Sequence, residues 1–129
     1  MKTLNLFAMM LVSLTWANLS AHASKNCSDD SLYPQISLEE LKKATAEKTA
    51  TIIDVNSEES FKEKHVTGAI HYGSVKSDFA KTLPAKKDQL IVAYCGGPKC
   101  TAWKKAAHEA CKLGYTNIKH FKDGIKGWK

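Results

Sequence analysis

The sequence predicts an α/β fold with a central, mostly parallel sheet and helices on both faces. Three observations predict it. Short runs rich in β-branched and aromatic residues recur along the chain, helical patterns alternate with them, and Gly, Pro, Asn and Asp punctuate the joins. A strand that returns parallel to its predecessor needs a crossover, and an amphipathic helix is the usual one.

Ser37-Leu38-Glu39-Glu40 has the form of a capping box, with Ser37 as N-cap and Glu40 reaching back. A helix from Leu38 to about Lys48 follows, with Leu38, Leu41 and Thr45 on one face and lysines opposite. Thr51-Ile52-Ile53-Asp54-Val55 reads as a buried strand. Ser57 can cap a short helix through Phe61 and Lys64, and Gly68-Ala69-Ile70-His71-Tyr72 reads as a second, shorter strand. Ser77 to Leu83 is expected to be helical and to stop at Pro84. Lys86-Lys87-Asp88 is a polar turn before the strand Leu90 to Tyr94.

The helix from Thr101 to Leu113 places Trp103, Ala106, Ala107, Ala110 and Cys111 on one apolar stripe. Gly114 suits the left-handed position just past its end. Asn117 to Phe121 is a final strand, and Asp123-Gly124 turns into a short tail carrying Ile125 and Trp128. No internal repeat, low-complexity tract or interdomain linker interrupts this order.

The first residues are set apart. Lys2 is the only charge before Lys25, Leu4 to Ala17 is mostly apolar, and Ala21-His22-Ala23 has the small-x-small form of a cleavage site. The pattern reads as a secretory signal peptide, residues 1–23. The apolar stretch is short for a bilayer span, which needs about 20 residues, and polar residues interrupt it. No stable membrane insertion is therefore expected after cleavage. The chain has 129 residues; removing 1–23 leaves an N-terminal arm, 24–35, and one domain, 36–129. Export implies a periplasmic or secreted protein in which disulfides can form. Cys27 follows Ser24, Lys25 and Asn26, which do not suit a lipid-attachment site, and is read as a spare thiol in a polar arm.

The formal net charge is +6, and every basic residue is lysine. Loss of Lys2 with the leader leaves the charge one unit lower. The lysines form no stripe and do not alternate with aromatics, so nucleic-acid binding has no support. A basic surface that attracts small anions is the reading kept.

The candidate chemistry lies at Ile91-Val92-Ala93-Tyr94-Cys95-Gly96-Gly97-Pro98-Lys99-Cys100-Thr101. A strand ends in a cysteine, a Gly- and Pro-rich turn follows, and a helix begins. Orphan amides and the helix dipole at such a junction favour an anion, so a thiol held there ionises more readily. The competing reading is a small cysteine buried at the end of a core strand. Gly and Pro leave the sulfur little to pack against, which favours the reactive reading. In parallel sheets ligands bind at the C-terminal ends of strands, where Cys95 lies.

Four cysteines allow three full pairings, and spacing alone does not choose among them. Cys95 and Cys100 are close enough to pair across the turn, and Cys111 is expected to be inert core. A Cys-x4-Cys pair without a second pair is weak support for a metal, and none is assigned. His65 and His71 are read as structural, His108 as an exposed helix position, and His120 as lacking a partner. Trp103 and Trp128 are assigned to packing.

Taken together, Ile53-Asp54-Val55, Phe61 and His65-Val66-Thr67-Gly68-Ala69-Ile70 resemble the first-half signature of the rhodanese, or sulfurtransferase, family. Tyr94-Cys95 with its Gly-rich turn resembles the family's active-site loop, and Gly114-Tyr115 with Gly124-Ile125-Lys126-Gly127-Trp128 resembles its closing pattern. The resemblance runs from about Ile36 to Trp128 and implies a rhodanese-like three-layer fold. It implies that catalytic Cys95 takes a sulfane sulfur from thiosulfate, a persulfide or a polysulfide. The resulting persulfide passes it to a thiol or cyanide. Gly96, Gly97, Pro98, Lys99, Cys100 and Thr101 form the substrate loop, its N–H groups curling around the anion, and Asp54 organises that loop. No cofactor is implied. The partners implied are small sulfur-containing anions and thiols, with a redox partner protein as a further candidate.

The chain departs from the family where it lacks arginine. Many members carry one at the place of Cys100 and another at the place of Asn56, and Lys64 stands where a glycine is usual before His65. A lysine cannot reproduce an arginine's paired hydrogen bonds to an oxyanion, though Lys99 can supply charge. Persulfide and polysulfide donors therefore rank level with thiosulfate. Cys100 has two readings at this level: a resolving thiol that attacks the Cys95 persulfide, or a small residue filling the first turn of the helix. Alternative functions are a thiol–disulfide oxidoreductase or redox sensor using both cysteines, and a non-catalytic binding module.

Overall fold

The structure is a computed structural model that describes residues 25–129. The expected signal peptide, 1–23, lies outside the described residues. The described elements run α1 (Leu38–Glu47), β1 (Ala50–Asp54), α2 (Glu58–Glu63), β2 (Ile70–His71), α3 (Tyr72–Val75), α4 (Phe79–Thr82), β3 (Leu90–Tyr94), α5 (Trp103–Lys112), β4 (Ile118–His120) and α6 (Gly124–Gly127). The four strands form one parallel sheet in the order β2-β1-β3-β4. None of the described helices is long and apolar enough to cross a membrane.

Side-chain alternation divides the core into two layers. Ile53, Ile91, Ala93 and Cys95 face one side and pack with Tyr72, Phe79 and the buried stripe of α5, Trp103 to Cys111. Ile52, Val92 and Tyr94 face the other and pack with Leu41 of α1, Val66, Phe121 and the flanking Ile125 and Trp128. Each large apolar side chain so buried stabilises the fold by roughly 1.5–3 kcal/mol before chain entropy is counted. The capping box of α1 forms as expected: Glu40 N–H donates to Ser37 Oγ at 3.1 Å, and Ser37 N–H donates to Glu40 Oε2 at 3.0 Å. Ser57 caps α2 by accepting from Ser60 N–H. Gly114 has φ +95° just past α5.

The region after β2 differs from expectation. The second strand has only two residues, and helix begins at once at Tyr72. A 3-10 turn, Lys76–Asp78, separates α3 from α4. Ring contacts of Tyr72 with Phe79, and a hydrogen bond from Tyr72 Oη to Glu109 Oε2 at 2.6 Å, hold this broken helix to α5. Tertiary packing thus starts the helix five residues before the one expected at Ser77.

The N-terminal arm also differs. From Lys25 on, it does not carry the spare thiol expected of it. Cys27 is buried and forms a disulfide with Cys111 of α5, 84 residues away. Cys111 sits on the predicted apolar stripe, but it is crosslinked rather than a free core thiol. Tyr33 Oη donates to Cys27 O at 2.6 Å, Lys104 pairs with Asp30 at 2.6 Å, and Gln35 forms a parallel bridge to His120 beside β4. The arm thereby covers the sheet edge that β4 would otherwise expose.

Candidate active site

In the parallel register Asp54 lies opposite Tyr94, at the C-terminal ends of two adjacent central strands. Both side chains project to the same face. Tyr94 Oη donates to Asp54 Oδ2 at 2.5 Å and accepts from Val66 N–H at 3.0 Å. Asp54 Oδ1 accepts from Asn56 N–H at 2.7 Å. Asp54 is fully buried, and these bonds offset the cost of burying it. Burial and the Asp54 hydrogen bond push the Tyr94 hydroxyl well above the usual tyrosine range, so it remains a donor. Asp54 therefore positions the residue before Cys95 and the turn that follows β1. It makes no hydrogen bond to residues 96–101 themselves, which refines the loop-organising role expected of it.

The neighbouring connections leave β1 and β3 for opposite sides of the sheet. One leads to β2 and the other through α5 to β4. This divergence opens the crevice in which α/β proteins bind ligands. Cys95 stands at its rim, one residue past β3.

The loop after Cys95 is held from behind by α6. Ile125 N–H donates to Cys95 O at 2.9 Å, and Lys126 N–H donates to Gly96 O at 3.1 Å. Gly124 makes this approach possible. Its φ is +60°, and a Cβ there would lie 2.5 Å from Cys95 O and 2.7 Å from Gly97 N. Among the described residues, the only amide of 96–101 that donates to a protein oxygen is Cys100 N–H, to Gly97 O at 3.0 Å. The N–H groups of Gly96, Gly97, Lys99 and Thr101 have no protein acceptor among the described residues.

Cys95 does not present a free sulfur at the mouth of the sheet, as the sequence led us to expect. It is 2% exposed, packs in the layer under α5, and forms a disulfide with Cys100. No loop amide donates to either sulfur among the described residues, as suits a neutral disulfide, which is a poor acceptor. The burial agrees with the competing core reading, but the pairing with Cys100 sets Cys95 apart from inert core.

Gly96, Gly97, Pro98, Lys99, Cys100 and Lys126 line an open cavity of about 430 Å³. Cys100 is part of its wall and Cys95 is not. Lys126 lies over Gly97, its Cδ 3.2 Å from where a Gly97 Cβ would stand. The sequence placed Lys126 only within a closing pattern; its role at the cavity depends on the turn at Gly124. Asn56 packs near Gly96, and its buried Nδ2 has no hydrogen-bond partner among the described residues. Thr101 is exposed at the far end of the loop, outside the cavity wall.

The histidines divide between structural roles. His65 stacks on Phe61 at 4.0 Å, and His71 is buried with its ring nitrogens 2.8 Å from Asn56 O and 2.7 Å from Ser74 Oγ. His108 is not an open surface position; it is half-buried against Tyr33, 3.8 Å from Asp30. His120, expected to lack a partner, stacks on Trp103 at 3.7 Å, and burial pushes its pKa down to about 4. No described group of three or more His, Cys, Asp and Glu side chains is arranged to hold a metal ion.

A human single-domain sulfurtransferase has the same fold, with a TM-score of 0.59 at 23% identity over 74% of this chain and 94% of that one. A Bacillus halodurans protein gives 0.58 at 25% identity over 77% and 73%. Reduced CoADR-RHD from Bacillus anthracis gives 0.57 at 19% identity, over 75% of this chain and 16% of that one. No curated protein matches the chain. The family model described as Rhodanese-like domain matches residues 37–129, from the Ser37 cap of α1 through the cysteine loop to the last residue. The parallel sheet, the cysteine loop at the end of its central strand and this match agree, and the chain belongs to the rhodanese-like family.

Proposed function

We propose that the protein is a sulfurtransferase that carries a sulfane sulfur on Cys95, and that it works in the periplasm or outside the cell. The observation that carries this reading is the placement of Cys95 one residue past the central strand, in a loop with four amides free of protein acceptors and a lysine-rimmed cavity beside it. In the reduced protein those amides and the start of α5 favour the thiolate. The thiolate attacks the outer sulfur of a donor such as thiosulfate. One S–S bond forms at Cys95, the donor's S–S bond breaks, and sulfite leaves with the electron pair. Preorganised N–H groups stabilise the charge as it moves.

Cys100 then acts as the resolving thiol. Its thiolate attacks Cys95 Sγ of the persulfide, a Cys95–Cys100 disulfide forms, and hydrosulfide leaves. The Cys95–Cys100 disulfide supports that step, whose product it would be. An oxidising setting accords with two disulfides in so small a chain.

Intact mass of pre-reduced Cys100→Ser protein, which cannot resolve the persulfide, after treatment with thiosulfate or polysulfide tests the reading. The expected result is a gain of one sulfur atom that disappears in Cys95→Ser. No gain with any donor overturns it. The Cys95–Cys100 bond also favours a second reading, a thiol–disulfide oxidoreductase. Cys100→Ser separates the two: the sulfurtransferase keeps its loading step, whereas the oxidoreductase loses its activity.

A further inference from the structure

The two sulfurs of the Cys95–Cys100 disulfide are not equivalent. Cys95 is 2% exposed and lies outside the cavity wall, whereas Cys100 is half-buried and forms part of that wall. Thiol–disulfide exchange needs a thiolate in line with the sulfur it attacks. A reductant arriving in the cavity meets Cys100. The leaving sulfur is then Cys95, which departs as a thiolate into the loop whose amides at Gly96, Gly97, Lys99 and Thr101 have no protein acceptor. Attack from the other side would require an approach to a sulfur packed beneath α5, and would release the anion at Cys100 instead.

The cavity indicates the reductant. Its volume of about 430 Å³ is that of a small-molecule site. Cys100 stands in the wall of this concavity and not on a convex surface, where a protein dithiol would dock most easily. Exposed Lys99 and Lys126 flank it, and no acidic side chain lines it.

We propose that an anionic low-molecular-weight thiol enters between Lys99 and Lys126 and attacks Cys100 Sγ, and that this opening gates sulfur loading on Cys95. The inference rests on Cys95 as the sulfur-carrying residue. In the first step the thiolate forms a mixed disulfide with Cys100, the Cys95–Cys100 bond breaks, and its electron pair goes to Cys95. In the second step another thiolate attacks the thiol-derived sulfur of the mixed disulfide, giving the oxidised small disulfide and a free Cys100 thiolate. Two thiols are oxidised for each protein disulfide reduced.

Oxidised full-length mature protein is mixed with limiting 2-mercaptoethanesulfonate, quenched in acid, alkylated with N-ethylmaleimide and digested with trypsin. Cleavage after Lys99 puts the two cysteines on separate peptides, 88–99 and 100–104. The expected result is alkylation on 88–99 and the mercaptoethanesulfonate adduct on 100–104. An adduct on 88–99 overturns the proposal. Rates per thiolate are compared with neutral 2-mercaptoethanol and cationic cysteamine. The sulfonate is expected to exceed cysteamine by roughly tenfold at low salt, an advantage that shrinks in Lys126→Gln and in high salt. Equal rates for the three thiols, or reduction by a protein dithiol with all three inert, also overturn it. Neither readout needs a sulfur donor, so a failure here is distinct from a failure of persulfide loading.

Discussion

Replacing Gly124 by alanine strikes the reactive loop without touching either cysteine. The added Cβ would stand 2.5 Å from Cys95 O, 2.6 Å from Gly96 C and 2.7 Å from Gly97 N. Ordinary contact begins at about 3.4 Å, so the loop backbone must retreat by about 0.9 Å or α6 must swing away. Either movement breaks the bonds from Ile125 N–H and Lys126 N–H to the loop carbonyls. A left-handed backbone at φ +60° adds about 1–2 kcal/mol for any residue with a Cβ. With overpacking of about 1–3 kcal/mol, the loss of stability should be about 2–5 kcal/mol. The effect on sulfur loading should be larger than stability implies, because an ångström of misplacement at a reacting group can cost about a hundredfold in rate. Urea unfolding of the oxidised protein gives the first quantity. The initial rate of mass gain in reduced, still-folded protein, with and without the glycine change on a Cys100→Ser background, gives the second. Stability within about 0.5 kcal/mol of the parent together with an unchanged loading rate would refute the claim that Gly124 sets the loop.

Other expectations follow from the same contacts. Removing the Cys27–Cys111 bond with paired serine substitutions frees an 84-residue loop, for which chain entropy gives about 4–5 kcal/mol. Non-reducing urea unfolding should show a loss of about 2–5 kcal/mol, and a loss below about 1 kcal/mol would mean that the arm adds little. Tyr94→Phe leaves Asp54 Oδ2 and Val66 N–H without their partner and should cost about 2–4 kcal/mol in the same assay. For His120, burial first and then Lys122 push the pKa from 6.5 to about 4. Between those pH values the unfolded chain binds a proton that the folded chain refuses. Stability should therefore fall by about 2 kcal/mol as pH drops through that window, then level off as far as this group is concerned. His120→Phe keeps a ring beside Trp103 and should flatten that decline; an identical pH profile would show that His120 is not its source.

The parts of the fold that were legible in the sequence are those set by local rules. The box at Ser37 and Glu40 starts α1, the β-branched run through Tyr94 forms β3, and the stripe from Trp103 to Cys111 is the buried face of α5. The position of Cys95 was legible for the same reason, since a strand, a Gly-rich turn and a helix are consecutive. Contacts between distant segments were not. Nothing local to Cys27 reports Cys111, and nothing near His120 reports the Trp103 ring that covers it. The start of a helix at Tyr72 has no side-chain cap to announce it; packing against Phe79 and Glu109 supplies the stabilisation instead. Burial of Cys95 escaped a reading based on its neighbours, because what covers it comes from α5 and from the bond to Cys100.

The two disulfides do different work, and their differences explain how such a site can open without the protein unfolding. Cys27–Cys111 closes 84 residues, ties the arm to α5 and lies between two buried residues. Opening it would release a large conformational freedom that native packing must then restrain. Cys95–Cys100 closes only a five-residue separation. The same entropy relation assigns it about half the stabilising effect, and the turn it spans is already fixed by the bonds from α6 and by Cys100 N–H to Gly97 O. The proposed redox step at the loop is therefore expected to change the chemistry of the cavity while β3, α5 and α6 stay in place. The long crosslink at the far end of α5 supports this arrangement: it ties the helix to the arm that runs beside β4 whether the short one is closed or open. A chain with only the short disulfide would have to stabilise α5 by packing alone, and reduction at Cys100 would then be expected to loosen the helix N-terminus beside the proposed Cys95 anion.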